Sequence, residues 1–219
     1  ARMQYAFYTG DTRGLEEVLT LVKGLEAPAA PGMKEYYGAY GNWKLSQLYA
    51  EGQANDKTAR TSAGKAGQEC ERQARAAVTR DARMAEAYAL EAICAAAGAS
   101  LIGGNCARSK SLRTALELAP QNPRVRLIEL MCSGGEEANP AATREQKLRA
   151  LVTAFETAPP SQPGKPDWGQ AEALLLLGQS YLQRGDSVAA RDTIERALVV
   201  APDYRKAQEL LQAAATRPR

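Results

Sequence analysis

The sequence predicts an all-α fold, and three observations support this class. Alanine dominates while valine and isoleucine are sparse, a composition that favours closely packed helices over β-sheets. Apolar side chains toward the C-terminus recur at helical spacing, as at Leu177, Tyr181, Ile194 and Leu198. A short segment with the features of a helix end also occurs several times along the chain. Together these observations predict repeated antiparallel helical hairpins.

The clearest hairpin lies toward the C-terminus. Gly178 and Ala190 are small residues at positions where its two helices should approach each other closely. Gly185 and Asp186 separate the helices, because glycine tolerates the left-handed conformation at a helix C-terminus and aspartate caps the next N-terminus. Pro202 cannot continue a helix and therefore marks the turn to the next unit.

Residues 171–204 resemble one complete repeat of the tetratricopeptide repeat (TPR) family. The match consists of the segment 174–181 followed by Ala190, Ile194, Ala197 and Pro202, in the order and spacing of that motif of about 34 residues. The resemblance implies a right-handed α-solenoid of about five irregular TPR-like helix hairpins, in which each repeat buries its apolar face against its neighbours. It also implies a protein that holds other proteins.

Earlier copies of the closing segment predict the organisation of the chain. Residues 115–120 and 154–159 repeat the pattern of residues 197–202, and residues 77–82 form a fourth copy with Ala82 in place of the proline. The copies lie farther apart than the family repeat, so we expect inserted loops, the largest being a proline-rich connector at residues 159–166. We expect a single solenoid domain over residues 1–219, with irregular N-terminal repeats over 1–82, repeats with inserted loops over 83–202 and a capping helix over 203–216.

The expected helices follow from this register. Gly10 and Asp11 repeat the junction seen at Gly185 and Asp186, and a polar loop is expected over residues 52–63. Helices are expected near residues 2–9, 12–26, 33–51, 64–79, 82–98, 104–118, 123–133, 140–157, 168–184, 187–200 and 203–216.

The resemblance also implies a partner site, because the first helix of each TPR lines a concave groove. The corresponding residues are Glu86 in one repeat, Arg124, Leu127 and Met131 in a second, and Glu172, Leu175, Gln179 and Leu182 in the last. This groove is mixed and rather apolar, which favours an extended apolar segment or a partner helix over a carboxylate clamp. Substitution of Leu127 or Leu175 by Asp is expected to weaken partner binding without unfolding the stack.

Aromatic side chains concentrate near the N-terminus. They are Tyr5, Phe7, Tyr8, Tyr36, Tyr37, Tyr40, Trp43 and Tyr49. Tyrosine and tryptophan bury much area at low entropic cost and are common at binding hot spots. Two interpretations stay open: the cluster fills the core of an irregular opening pair of repeats, or it exposes Tyr36, Tyr37 and Tyr40 to a partner or ligand.

Four widely spaced cysteines, Cys70, Cys94, Cys106 and Cys132, predict disulfides. Numbered within the repeats, Cys70 and Cys94 occupy nearly mirrored positions of adjacent antiparallel helices, as do Cys106 and Cys132, so we predict these two pairs. A Cys94–Cys106 contact is an alternative, although its complement, Cys70–Cys132, would exceed the reach of roughly 7 Å between Cα atoms. Pairing of Cys70 with Cys106 and of Cys94 with Cys132, or four buried thiols, also stays open. Disulfides would indicate an oxidising compartment such as a periplasm, and free thiols the cytoplasm.

Composition argues against several functional classes. The chain has 219 residues, no histidine and a net charge of +3, with acidic and basic side chains interleaved rather than gathered in a basic patch. This pattern disfavours nucleic acid binding, and no apolar run reaches the length of a membrane span. Without histidine or a C-x2-C pair, we expect no catalytic residue, no metal site and no cofactor.

These observations lead to one expected function and two alternatives. We expect a non-catalytic protein–protein interaction scaffold or adaptor that binds a peptide or partner helix in the concave groove, in the periplasm or another exported location. The first alternative is a module that binds a glycan or lipid through the N-terminal aromatic cluster. The second is a self-assembling structural subunit that associates through its N-terminal end.

Overall fold

The predicted all-α class is confirmed. The computed structural model describes residues 1–26, 30–52, 56–98, 106–133, 140–159 and 164–216, and within these ranges it contains eleven α-helices, one 3-10 helix and no strand. Contacts between Cα atoms divide the chain into two compact units, Ala1–Ser133 and Gly134–Arg219. The expectation of a single domain over residues 1–219 stays a prediction.

The first unit stacks seven α-helices in chain order. They are α1 (Arg2–Thr9), α2 (Thr12–Gly24), α3 (Met33–Gly52), α4 (Lys57–Arg80), α5 (Ala85–Gly98), α6 (Lys110–Leu118) and α7 (Pro123–Cys132), with a 3-10 turn, Cys106–Arg108, before α6. Each helix contacts the next, and α3 contacts α5 as α5 contacts α7. This pattern, in which a helix contacts both the following helix and the one after it, is typical of stacked helical hairpins.

The second unit contains α8 (Pro140–Thr157), α9 (Gln170–Arg184), α10 (Ser187–Val200) and α11 (Arg205–Thr216). Helices α9 and α10 form the hairpin expected over residues 171–204, while α8 packs on α9 and α11 packs on α10. Helix α11 buries Ala207 and Ala214 and exposes the charged side chains of Arg205 and Lys206. It therefore has the polar outer face expected of a capping helix.

Most helix boundaries lie within three residues of the expected ones, with two exceptions. Helix α4 begins at Lys57, inside the expected polar loop, because the Asp56 carboxylate accepts a hydrogen bond from the Thr58 N–H at 2.7 Å and caps the helix. Helix α6 begins at Lys110 instead of near residue 104, because the Ser109 hydroxyl caps it through the Leu112 N–H at 3.0 Å. Residues 104 and 105 lie outside the described residues.

Two hairpins use the same junction, as expected from the repeated Gly-Asp pair. Gly10 and Gly185 end their helices in the left-handed conformation, with φ of 74° and 86°. The following Asp11 and Asp186 then cap α2 and α10 by accepting hydrogen bonds from backbone N–H groups three residues ahead, at 2.8 and 3.0 Å. Glycine is required at both junctions because a side chain disfavours positive φ.

Three of the four closing segments form one kind of turn between hairpins. The N–H groups of Asp81, Ala119 and Ala201 donate to the carbonyl oxygens four residues earlier. The carbonyl oxygens of the same residues accept from the N–H groups three residues ahead, where the next helix starts. In the remaining copy, residues 154–159, α8 ends at Thr157. Residues 164–169 are not helical, as expected for a connector, while residues 160–163 lie outside the described residues.

The predicted disulfide pairing is confirmed. Cys70 of α4 is bonded to Cys94 of α5, with 5.7 Å between their Cα atoms, and Cys106 of the 3-10 turn is bonded to Cys132 of α7, with 5.0 Å. Each bond ties the second helix of a hairpin, or the turn that leads into it, to the first helix of the next hairpin. The structure therefore contains the two predicted pairs and neither of the alternative pairings.

The close approach predicted at Gly178 is present between α9 and α10. A Cβ atom at Gly178 would lie 2.6 Å from Cγ1 of Ile194, a side chain that is fully buried. By contrast, a Cβ at Gly64, inside α4, would meet no atom within 4 Å.

These two glycines predict opposite effects of alanine. We expect Gly178→Ala to lower the free energy of unfolding by about 1 kcal/mol, because overpacking outweighs the gain in helix propensity. Gly64→Ala should raise it by up to about 1 kcal/mol, because only the propensity term changes. Urea denaturation with the disulfides intact measures both, and stabilisation by both substitutions would contradict the close approach of α9 and α10.

Candidate functional site

A largely buried carboxylate, that of Glu86, joins α3, α5 and the start of α7 in the N-terminal unit. Glu86 of α5 accepts a hydrogen bond from the Tyr36 hydroxyl of α3 at 2.6 Å and another from the Asn122 side-chain amide at 2.8 Å. Asn122 also caps α7, because its side-chain oxygen accepts from the Arg124 N–H at 2.9 Å. The Arg124 guanidinium lies 3.7 Å from the same Glu86 oxygen that accepts from Asn122.

This network unites residues that the sequence assigned to two separate surfaces. Glu86 and Arg124 were expected in the groove, and Tyr36 in the aromatic cluster. Tyr36 is 1% exposed, and the side chains of Glu86 and Arg124 are 13% and 14% exposed. Hydrogen bonds to a charged group are strong where water is excluded, so this network holds α3, α5 and α7 in register.

The remaining groove residues of the first unit differ in accessibility. Leu127 is completely buried, whereas Met131, one turn further along α7, is half-buried. The premise that Leu127 faces solvent is therefore wrong. An aspartate at this position would be placed in the packed interior, at a cost to folding.

In the second unit, three of the four expected groove residues are buried. Leu175 and Leu182 are 3% and 8% exposed, and only Gln179 is half-buried. Glu172 is also buried, and its carboxylate accepts a hydrogen bond from the Gly169 N–H at 3.1 Å, which closes the first turn of α9. The premise that Leu175 faces solvent is likewise wrong.

Four of the eight side chains in the N-terminal aromatic cluster, including that of Phe7, belong to the core. Tyr36, Tyr40 and Trp43 are 1–2% exposed, and Tyr37 is half-buried. The interpretation that Tyr36 and Tyr40 are exposed to a partner or ligand is therefore wrong, and for these two residues the core interpretation is correct. Helix α3 packs against α1, α2, α4 and α5, so that its side chains are covered on several faces at once.

The cluster surrounds a lysine that sequence analysis overlooked. Lys44 is 1% exposed, and its ammonium nitrogen lies 4.0 Å from the centre of the Trp43 ring and 4.3 Å from that of Phe7. Tyr40 presents a third ring at 5.6 Å. The attraction of a cation to an aromatic face is about 2 kcal/mol where water is excluded, and here it offsets part of the cost of burying the charge. The space between these aromatic rings is thus occupied by the Lys44 side chain.

One tyrosine at the edge of this region has a perturbed ionisation. The Tyr49 hydroxyl of α3 donates a hydrogen bond to the Glu16 carboxylate of α2. Partial burial, followed by this hydrogen bond and the negative charge of Glu16, raises the pKa of Tyr49 to about 12. Tyr49 therefore acts as a hydrogen-bond donor between the two helices over the physiological pH range.

A second polar cluster connects α8 with α9 in the C-terminal unit. The buried Glu145 carboxylate lies 2.6 Å from the Arg149 guanidinium and 3.2 Å from that of Arg184. Arg149 also donates a hydrogen bond to the Tyr181 hydroxyl at 2.8 Å. Because both arginines are about half exposed, this cluster joins the interior of the unit to its surface.

Two further findings concern other kinds of site. In the described part of the chain, no helix is both long and apolar enough to cross a membrane. No three cysteine, aspartate or glutamate side chains come together as metal ligands within the same described ranges.

Comparison with protein families gives a match to one family. The sequence profile of a family described as a domain of unknown function, DUF4192, matches residues 34–218. The chain belongs to this family. Helices α1 and α2 precede the matched segment. Comparison with curated proteins gives no match.

A solved structure resembles this DUF4192 member over most of its length. It is the crystal structure of a thermophilic TPR protein from Thermus thermophilus, with a TM-score of 0.53 and 14% sequence identity. The likeness covers 93% of this chain and 100% of the other. At this identity it establishes a TPR-like fold for the DUF4192 member and leaves its partners to experiment.

Sequence analysis missed Asn122 and Lys44 for different reasons. Asn122 precedes a proline, a recognisable helix start, but its bond to Glu86 depends on α5 and α7 being adjacent. Lys44 carries no local signal, because a lysine inside an apolar helix pattern is usually directed to solvent.

The Glu86 network predicts a loss of stability when the charge is removed. We expect Glu86→Gln to lower the free energy of unfolding by about 1–3 kcal/mol, because an amide offers only one acceptor oxygen to the Tyr36 and Asn122 donors. Glu17→Gln is the control, since the exposed Arg13–Glu17 pair should contribute less than about 1 kcal/mol. Equal effects of the two substitutions in chemical denaturation would contradict a supporting role for Glu86, and a double-mutant cycle with Tyr36→Phe isolates their bond.

Proposed function

We propose that this DUF4192 protein is a non-catalytic interaction scaffold that binds a peptide or a partner helix on the inner face of its first helices. The observation that carries the proposal is the side-by-side packing of α3, α5 and α7, joined through Glu86. Adjacent parallel helices form a continuous ridged surface, which suits an extended segment or an amphipathic helix. The TPR-like fold supports the same class of function.

The burial pattern divides the proposed site into supporting and accessible residues. Leu127, Glu172, Leu175 and Leu182 hold the helices together from within, as do Tyr36 and Tyr40. In the first unit the side chains of Tyr37 and Met131 are only half-buried, so they are the proposed contacts, together with the partly exposed edges of Glu86 and Arg124. In the second unit, taken by itself, Gln179 of α9 is the half-buried residue among those expected to contact a partner.

We also propose that the protein works in an oxidising compartment, such as a periplasm, as part of an exported pathway. Two disulfides in one unit support this location, because disulfides persist where thiol reductants are scarce. A cytoplasmic location is the alternative, and mapping of free and bonded cysteines in protein isolated from its native cells distinguishes the two.

The binding proposal is tested with peptides selected against the oxidised protein from a random displayed library. We expect Met131→Arg to raise the dissociation constant of a selected peptide at least about tenfold, since the loss of a contact of about 1.4 kcal/mol changes this constant by that factor. Val188→Arg is the matched control, because Val188 is 78% exposed on α10 and lies in the other unit. Calorimetry measures both, and equal effects of the two substitutions would place the binding site elsewhere.

Self-association is a second candidate function. Tyr5 of α1 and Leu21 of α2 are 59% and 57% exposed, and Leu25 directly after α2 is 54% exposed, so the N-terminal end carries three exposed large apolar side chains. If these residues bind a second copy, light scattering should show a concentration-dependent dimer that Leu21→Glu abolishes. A monomer at all concentrations would exclude this function for the chain.

A further inference from the structure

The two disulfides lie in different surroundings. Cys70 and Cys94 are completely buried, whereas Cys106 and Cys132 are 7% and 8% exposed. A thiol reductant must reach a sulfur atom to break a disulfide, so access affects the rate of reduction. The Cys106–Cys132 bond is therefore the more accessible of the two.

The helices around each bond also support it to different degrees. Helices α4 and α5 pack along much of their length, and the Arg75 guanidinium lies 3.0 Å from the Glu91 carboxylate across the same interface. Helix α7 has far less contact with α6 and with the 3-10 turn that carries Cys106. Breaking Cys70–Cys94 would leave its helices packed together. Breaking Cys106–Cys132 would remove the covalent link between the C-terminal turn of α7 and the 3-10 turn, and α7 would then be held by its packing on α5.

Helix α7 is held by a polar attachment at one end and a covalent one at the other. At its N-terminus Asn122 donates to Glu86, and at its C-terminus Cys132 is bonded to Cys106. The helix has only 10 residues, and helices of this length depend on tertiary contacts for their stability. Met131, a proposed partner contact, adjoins the covalent attachment.

We propose that the Cys106–Cys132 disulfide is a redox-sensitive latch on α7, opened by a dithiol reductant while Cys70–Cys94 stays intact. One thiolate of the reductant attacks a sulfur of the bond and releases the other cysteine as a thiolate, which takes up a proton. The second thiol of the reductant, as its thiolate, then attacks the reductant sulfur of the mixed disulfide and displaces the second cysteine, which takes up a proton. Two cysteine thiols and an oxidised, cyclic reductant result. The C-terminal turn of α7 is thereby released, and partner binding around Met131 weakens; this last step rests on the proposed function.

The order of reduction is the first test. The intact, fully oxidised protein is treated with dithiothreitol under native conditions, and thiols are alkylated at intervals and mapped by mass spectrometry. We expect Cys106 and Cys132 to be alkylated at least about tenfold faster than Cys70 and Cys94, because only the latter require prior opening of α4 and α5. Simultaneous reduction of both bonds, or earlier reduction of Cys70–Cys94, would overturn the proposal.

Release of α7 is the second test, measured as amide hydrogen exchange in partly reduced protein. Protection should fall at least about tenfold over residues 126–132 and stay unchanged in α4, α5 and α9. The double variant Cys106→Ser with Cys132→Ser should show the same pattern without reductant, and Cys70→Ser with Cys94→Ser is its matched control. Unchanged exchange in α7 after reduction of Cys106–Cys132 would show that the bond is not a latch.

The effect on binding separates this proposal from the proposed function. A selected peptide should bind the partly reduced protein at least about tenfold more weakly than the oxidised protein. If binding depends on Met131 and is unaffected by reduction, the proposed function stands and the latch does not control it. If no Met131-dependent binding occurs in the oxidised protein, the proposed function fails, while reduction order and hydrogen exchange still decide the latch.

Discussion

The close approach of neighbouring helices is the constraint on which both units depend. Alanine and glycine occupy the contact positions, as at Ala77 in α4, Ala115 in α6 and Ala190 beside Gly178 in the α9–α10 hairpin. A small side chain allows two backbones to approach, so each helix fits closely against its neighbours in the chain. A larger side chain at any such position would separate a pair of helices and disturb the packing of the next hairpin.

Small side chains permit close packing but contribute little apolar area, since the stabilisation from burial grows with the area removed from water. The structure supplements this packing with specific links between hairpins. Glu86 joins α3, α5 and the start of α7, Lys44 lies among aromatic rings of α1 and α3, and two disulfides tie successive hairpins together. These links connect helices that are distant in sequence, whereas contacts within one helix connect only residues that are close in sequence.

The links also determine which surface is accessible. Several residues that were expected to line a groove are buried between helices, so their side chains stabilise the fold. The half-buried side chains that remain, such as Met131 and Gln179, lie on helices positioned by that buried set. The proposed binding site and the stability of the first unit are therefore coupled, because the same short helix carries Met131, the attachment to Glu86 and one half of a disulfide.

The sequence by itself determined most of the helices, the Gly-Asp junctions and the turns between hairpins. It also favoured, among several possible pairings, that of Cys70 with Cys94 and of Cys106 with Cys132. Each of these depends on local backbone preferences or on the spacing of one hairpin from the next, which a single chain displays directly. Only the tertiary structure decided that Tyr36 bonds to Glu86, that Leu127 and Leu175 are buried and that Lys44 lies within an aromatic cluster. Helical spacing places a residue on one side of its helix, whereas burial depends on how many neighbouring helices cover that side.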